Sequence, residues 1–218
     1  MRGMKDGHHI ADHTWSHQLM TTLTNDEVLA EFYYTQKAIK MTTGVTPMYW
    51  RPAYGDVDDR VRWIASQLNM TCVLWNLDTD DWAAGTTESL AQVQSAYDSF
   101  VTMGTNGSFA STGNIVLTHE IDNTTMQLAV EYLPKIKQAY KYIVDVATCS
   151  NITYPYIETS VKFPSFAQFI SGNTTANSSS SGAGAGSSTS TSAAFKIAPA
   201  SNSILGGLAV LAFVVSFF

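Results

Sequence analysis

The sequence predicts an α/β fold built on parallel strands, and three observations carry that expectation. Over residues 7–147 of the 218-residue chain, short apolar runs alternate with longer amphipathic stretches of helical period. The helical stretches are long enough to cross back over a sheet, which implies βαβ units and either an α/β barrel or an open doubly wound sheet. Polar motifs recur at or just after the ends of the strands, the position at which barrel active sites gather.

The elements run in order along the chain. Thr24-Asn25-Asp26-Glu27 reads as a capping box that opens a helix over residues 24–40. Met48-Tyr49-Trp50 is a short strand, and residues 57–68 form the next helix. Residues 72–77 are rich in β-branched and aromatic side chains and read as a strand. A helix over 87–103 places Leu90, Val93, Tyr97 and Val101 on one face. Ile115-Val116-Leu117 is a strand, 125–141 a helix and 142–146 another strand.

After about Phe169 the character changes. Residues 171–194 are almost all Ser, Thr, Gly, Ala and Asn, too polar and too small to bury a core. Residues 204–218 are uncharged and apolar, short of the roughly 20 residues that span a bilayer. Small residues, a spacer and a terminal apolar tail match a GPI-attachment signal, with Ser192 the expected attachment residue.

Composition narrows the function classes. A net charge of −6 with 14% charged residues excludes a nucleic-acid footprint. N-x-S/T sequons at Asn69, Asn106, Asn123, Asn151, Asn173 and Asn177 point to a secretory route. Residues 1–7 nevertheless hold no apolar signal sequence, so the expectation is a chain whose native N-terminus lies upstream. Cys72 and Cys149 permit one disulfide, although Cys72 sits in an apolar run where a buried free thiol fits equally well.

Four motifs carry chemistry. His13-Thr14-Trp15-Ser16-His17 spaces two imidazoles one helical turn apart, so both can reach one metal ion; a catalytic zinc wants a third protein ligand. Arg51-Pro52-Ala53-Tyr54-Gly55 is a rigid turn that presents a guanidinium and a backbone N–H. Trp75-Asn76-Leu77-Asp78-Thr79-Asp80-Asp81-Trp82 crowds three carboxylates between two tryptophans. Leu117-Thr118-His119-Glu120 ends a strand on a histidine placed to act as general acid or base.

Taken in order, H-x-x-S-H, R-P-x-Y, D-x-x-D-W and L-T-H resemble the polysaccharide deacetylases of the NodB-homology family (carbohydrate esterase family 4), and look most like fungal chitin deacetylases. The resemblance covers about residues 1–150 and four of the family's five motifs. It implies a distorted (β/α) barrel and a single zinc or cobalt ion that polarises an acetamide carbonyl and activates water. By that likeness His13 and His17 are metal ligands, and Arg51 orients the catalytic aspartate. The backbone N–H of Tyr54 helps hold the oxyanion, and Asp81 pairs with His119, the general acid. Trp75, Trp82 and Leu117 wall the pocket. Ala53 stands where the family usually has a second proline.

The family's first motif, [ST]-F-D-D-G, which supplies the base and the third metal ligand, has no counterpart in this sequence. The expected organisation is therefore a partial deacetylase domain over 1–150 lacking its first strand or strands. An extension comes next over 151–170, then a Ser/Thr/Gly-rich linker with the attachment region over 171–203 and the hydrophobic tail over 204–218. The implied partners are chitin or a related N-acetylglucosamine polymer and, through the anchor, the outer face of the plasma membrane and the cell wall. The expected activity is removal of N-acetyl groups from chitin, absent in the chain as written. The alternatives are a non-catalytic glycan-binding protein or a deacetylase of peptidoglycan or acetylxylan.

Overall fold

The computed structural model describes residues 2–109, 111–172 and 210–216. After a short α1 (Arg2–Lys5), the chain runs through residues 8–13 into a loop and then α2 (Asn25–Thr43). Thr24 accepts the Glu27 N–H, and the Glu27 carboxylate accepts the Thr24 N–H, completing the predicted capping box. Gly44 ends α2 in the left-handed conformation at φ +83°. Then come β1 (Tyr49–Trp50), α3 (Asp59–Gln67), β2 (Thr71–Cys72), β3 (Leu77–Asp78), α4 (Leu90–Thr105), β4 (Gly113–His119), α5 (Asn123–Ala139) and β5 (Tyr142–Asp145). Two short helices follow, α6 (Val146–Cys149) and α7 (Phe166–Ile170).

The strands pair in parallel, as the alternation of elements requires. They form a two-stranded sheet, β1–β2, and a four-stranded sheet in the order β3–β4–β6–β5. The sixth strand, β6 (Val210–Ser216), lies in the segment whose composition suits a hydrophobic tail, and its backbone pairs with both β4 and β5. Asp12 extends the smaller sheet through a parallel bridge to Trp50. The predicted strand over 72–77 is in fact two short strands separated by residues 73–76. Asn76 breaks the run, because its side-chain oxygen and its N–H both bond to Ile115 of the neighbouring strand.

Two apolar clusters fix the layers. Met20, Val28, Phe32, Trp50, Val61, Ile64, Ala65 and Met70 pack α2 and α3 on the smaller sheet. Val93, Tyr97, Phe100, Val116, Leu128, Tyr132, Ile136 and Tyr140 pack α4 and α5 on the larger. The edge of Gly104 meets the Tyr140 ring so closely that an added Cβ would lie 2.6 Å from it. Cys72 and Cys149 are both free thiols, one half-buried and the other exposed.

His9 belongs to the packing rather than to a site. Its ring sits edge-on to Tyr49, Tyr156 and Phe163, with centroids 5.1, 5.6 and 5.5 Å away. Burial lowers its pKa to about 4, opposed by the nearby Asp145 carboxylate. Between that value and the 6.5 of an exposed histidine the unfolded chain holds more protons, so stability falls as pH falls through the window. We predict that His9→Phe flattens this acid loss by up to about 3 kcal/mol between pH 6.5 and 4. Thermal unfolding across that range checks it; a variant with the wild-type pH dependence contradicts it.

Candidate active site

The His13/His17 pair sits on a bent loop, not on the helical turn that its spacing suggests. Thr14 and His17 both take the left-handed conformation, at φ +67° and +56°. The cause is local in part: the side-chain oxygens of Asp12 and Thr14 compete with helical hydrogen bonding. The Asp12 Oδ1 accepts the Thr14 N–H at 2.8 Å, and the Thr14 hydroxyl accepts the His17 N–H at 3.2 Å. From α2, one oxygen of Glu31 accepts the N–H groups of both Trp15 and Ser16 at 2.7 Å. Its other oxygen accepts the Ser16 hydroxyl at 2.5 Å. Before the loop, Asp12 is locked to β1 by its N–H to the Tyr49 carbonyl and by the Arg51 N–H to its own carbonyl. The two imidazoles end with ring centroids 4.9 Å apart and planes at 79°.

His13 is bracketed by a single residue. Its Nδ1 lies 2.7 Å from the carbonyl oxygen of Arg51, which can only accept, so Nδ1 carries the proton and Nε2 the lone pair. That tautomer suits a metal ligand. The Arg51 guanidinium, however, lies 2.7 Å from Nε2 and donates to it. Burial, reinforced by this cation, lowers the His13 pKa to about 3; the same two causes lower that of His17. Arg51 is itself buried, which brings its pKa down to about 10 against the pull of Asp78. Its guanidinium also lies 5.6 Å from the Trp75 ring.

The residues present meet a metal's requirements only in part. His13 and His17 supply two imidazoles, yet among the described residues no third His, Cys, Asp or Glu joins them. A catalytic zinc takes three protein ligands.

The acidic loop divides into different roles. Asp81 is buried in the turn Asp81–Ala83 against β4, where its Oδ1 meets His119 Nδ1 at 2.7 Å and its Oδ2 accepts the His119 N–H at 2.9 Å. The Tyr97 hydroxyl donates to the same carboxylate at 3.4 Å. With Nδ1 held this way, Nε2 is the atom of His119 left to move a proton. Asp78 accepts the Trp75 indole N–H at 3.0 Å. Asp80 adopts the left-handed conformation at φ +51°, and burial followed by its acidic neighbours raises its pKa.

Tyr54, also left-handed at φ +57°, sits in the turn of Ala53–Gly55 with its ring 4.6 Å from that of His17. Gly55 brings the turn against Trp75, where a Cβ would meet the indole at 3.2 Å. Trp82 is exposed and Trp75 half-buried. Leu117 is 3% exposed and lies on the same face of β4 as His119, opposite Val116. Its carbonyl accepts the Thr79 hydroxyl at 2.9 Å and ties the acidic loop to β4.

Of the sequons, Asn69, Asn106, Asn123 and Asn151 are exposed; Asn173, Asn177 and Ser192 lie outside the described residues. Sequence reasoning missed Glu31. Its signal was a carboxylate three residues after Val28 and one before Phe32, on the stripe of α2 that packs inward.

Residues 1–73 match the family described as Polysaccharide deacetylase. The chain is 70% identical over 158 residues to the chitin deacetylase of Amylomyces rouxii, covering 72% of this chain and 37% of the relative. It is 52% identical over 180 residues to chitin deacetylase 2 of Cryptococcus neoformans, covering 82% and 40%. The chain thus spans about two-fifths of the length of these curated relatives. Among solved structures it is similar to the peptidoglycan deacetylase PdaC from Bacillus subtilis, with TM-score 0.51, 29% identity and coverage of 63% and 60%. The chitin deacetylase from Colletotrichum lindemuthianum shares the fold at TM-score 0.56 and 22% identity, with coverage of 63% and 60%.

The Arg51 contact makes a prediction. Removing the cation from His13 with Arg51→Ala should strengthen Co2+ binding by the 218-residue chain about tenfold or more, since a guanidinium and a dication repel strongly when desolvated. A cobalt titration followed by visible absorption checks this; equal or weaker binding by the variant contradicts it.

Proposed function

We propose, for a chain that belongs to the polysaccharide deacetylase family, that its residues serve hydrolysis of the N-acetyl group on N-acetylglucosamine units of chitin. The observation that carries this reading is the Asp81–His119 pair, with His119 near enough to the His13/His17 pair for its charge to act on both imidazoles. The fungal relatives, both named chitin deacetylases, favour chitin over other acetylated glycans.

In this reading water adds to the acetamide carbonyl carbon, and the C–N bond of the tetrahedral adduct breaks. His119 Nε2 gives its proton to the departing amine, and acetate and a free glucosamine amine result. Asp81 keeps the imidazole oriented for that transfer. The backbone of Tyr54 faces the carbonyl oxygen, and Trp75 and Trp82 flank the sugar. A divalent metal, zinc or cobalt, supplies carbonyl polarisation and water activation when bound, with His13 and His17 as two of its ligands. The base and the third ligand correspond to the [ST]-F-D-D-G motif, which these residues do not include.

The wider setting belongs to the same proposal. The parallel strands form an arc of a distorted (β/α) barrel, and Asn69, Asn106, Asn123, Asn151, Asn173 and Asn177 carry glycans. A GPI anchor at Ser192 holds the protein at the outer membrane face and cell wall. Anchoring there would remove residues 210–216, so the mature sheet would lose β6 and leave the facing edges of β4 and β5 open to other pairing.

The test is a chimera that places an [ST]-F-D-D-G strand from a family member ahead of Gly7. We predict that the 218-residue chain releases no acetate from chitin oligomers, whereas the chimera does, and that His119→Ala in the chimera lowers turnover by about 10²–10⁴-fold. Substantial turnover by the unaltered chain, or wild-type turnover by the His119→Ala chimera, contradicts the assignment. Oligomer binding without acetate release by the chimera would favour a non-catalytic glycan-binding protein.

A further inference from the structure

Glu31 is a carboxylate on the buried face of α2, in line with Val28, Phe32 and Gln36 and only 9% exposed. An apolar side chain would pack there without the desolvation that a carboxylate suffers. Glu31 is satisfied instead by three donors, and all three belong to the middle of the H-x-x-x-H loop: the N–H of Trp15, the N–H of Ser16 and the Ser16 hydroxyl. The residues on either side of this pair, Thr14 and His17, hold left-handed backbone, a conformation that persists in non-glycine residues only when the surroundings over-determine it. The Trp15 side chain is 60% exposed and meets α2 at the Tyr34 ring, with centroids 5.9 Å apart, a contact that substitution of Glu31 leaves in place.

We propose that Glu31 is a positioning residue for His13 and His17. Its carboxylate clamps the main chain between them to α2 and thereby sets the separation and angle of the two imidazoles. Because α2 is anchored in the core through Val28 and Phe32, the clamp transmits the rigidity of the helix to a loop with no helical or strand hydrogen bonds of its own. The inference rests on the reading of the pair as metal ligands for its functional meaning, but its geometric content can be tested without metal.

The test uses the 218-residue chain and three variants. Glu31→Ala removes the clamp. Glu31→Asp keeps the charge but shortens the reach by one methylene. Glu31→Gln keeps the length; its amide oxygen can accept both N–H groups, and its amide nitrogen can donate to the Ser16 hydroxyl. Two measurements are made on metal-free protein: hydrogen exchange of the Trp15 and Ser16 amides, and the imidazole ¹⁵N shifts that report the His13 tautomer. A cobalt titration comes after them. The expected result is at least tenfold faster exchange of both amides in Glu31→Ala and Glu31→Asp, with an averaged His13 tautomer. Cobalt binding should weaken about 10–100-fold, the usual effect of losing support behind a metal ligand. Glu31→Gln should stay within about threefold of the wild type in all three.

A residue that served stability alone would lower the melting temperature and leave the His13 signature as it was. A folded Glu31→Ala or Glu31→Asp with wild-type amide protection and tautomer overturns the proposal. If Glu31→Ala does not fold, the contrast between Asp and Gln decides. If even the wild type takes up no cobalt, the metal reading of the pair falls, while the metal-free signatures still decide the clamp.

Discussion

Four consecutive backbone N–H groups, those of residues 14–17, lie outside any helix or strand, and each is accepted by a side-chain oxygen. The rest of the site depends on this arrangement. Left-handed backbone at two non-glycine residues costs about 1–3 kcal/mol each, and hydrogen bonds to a charged carboxylate such as Glu31 return about 1.5–3 kcal/mol apiece, those to Asp12 and the Thr14 hydroxyl less. The loop can therefore hold a shape that sequence-local preferences alone would not maintain. Its two ends are fixed independently, one by the backbone pairing of Asp12 with β1 and the other by the hydroxyl of Thr14. Because Arg51 comes directly after β1, the pairing that locks Asp12 also delivers the carbonyl that sets the His13 tautomer.

The electrostatics of the site arise from the same placement. Burial and the Arg51 guanidinium keep His13 neutral across the physiological range, with Nε2 as the lone-pair atom. Arg51 then stands where a metal would draw on that lone pair. On the other side Asp81, buried and held by β4 and Tyr97, fixes His119 through two contacts. In the proposed reaction one imidazole offers electrons and another moves a proton. This division comes from which ring nitrogen each protein group occupies.

Much of this is legible in the sequence, and the exceptions have physical causes. The capping box at Thr24, the helices on either side of β4 and the parallel pairing appear as the patterns dictate. The four motifs converge as their order implies, down to the Asp81–His119 contact. The H-x-x-x-H spacing misleads because four residues match a helical turn, while the side chains of Asp12, Thr14 and Glu31 take the backbone N–H groups of residues 14–17 in a bent loop. Alternation along β4 turns Val116 into the core and puts Leu117 on the face that carries His119. Glu31 escapes notice because the polar partner of a loop lies on a distant helix, and only the fold brings them together. The apolar run that includes residues 210–216 suits a signal tail and a buried strand equally well by composition, and its backbone pairs within the sheet.

In the proposed function, His13 and His17 form a two-imidazole metal face that draws its third protein ligand from the [ST]-F-D-D-G motif. X-ray absorption of the zinc-loaded 218-residue chain tests it most directly. The account predicts two histidine nitrogens at about 2.0–2.1 Å with the remaining positions filled by light oxygen donors, and loss of both nitrogens in His13→Ala/His17→Ala. A first shell with three or more protein ligands, or one unchanged by that double substitution, would contradict it.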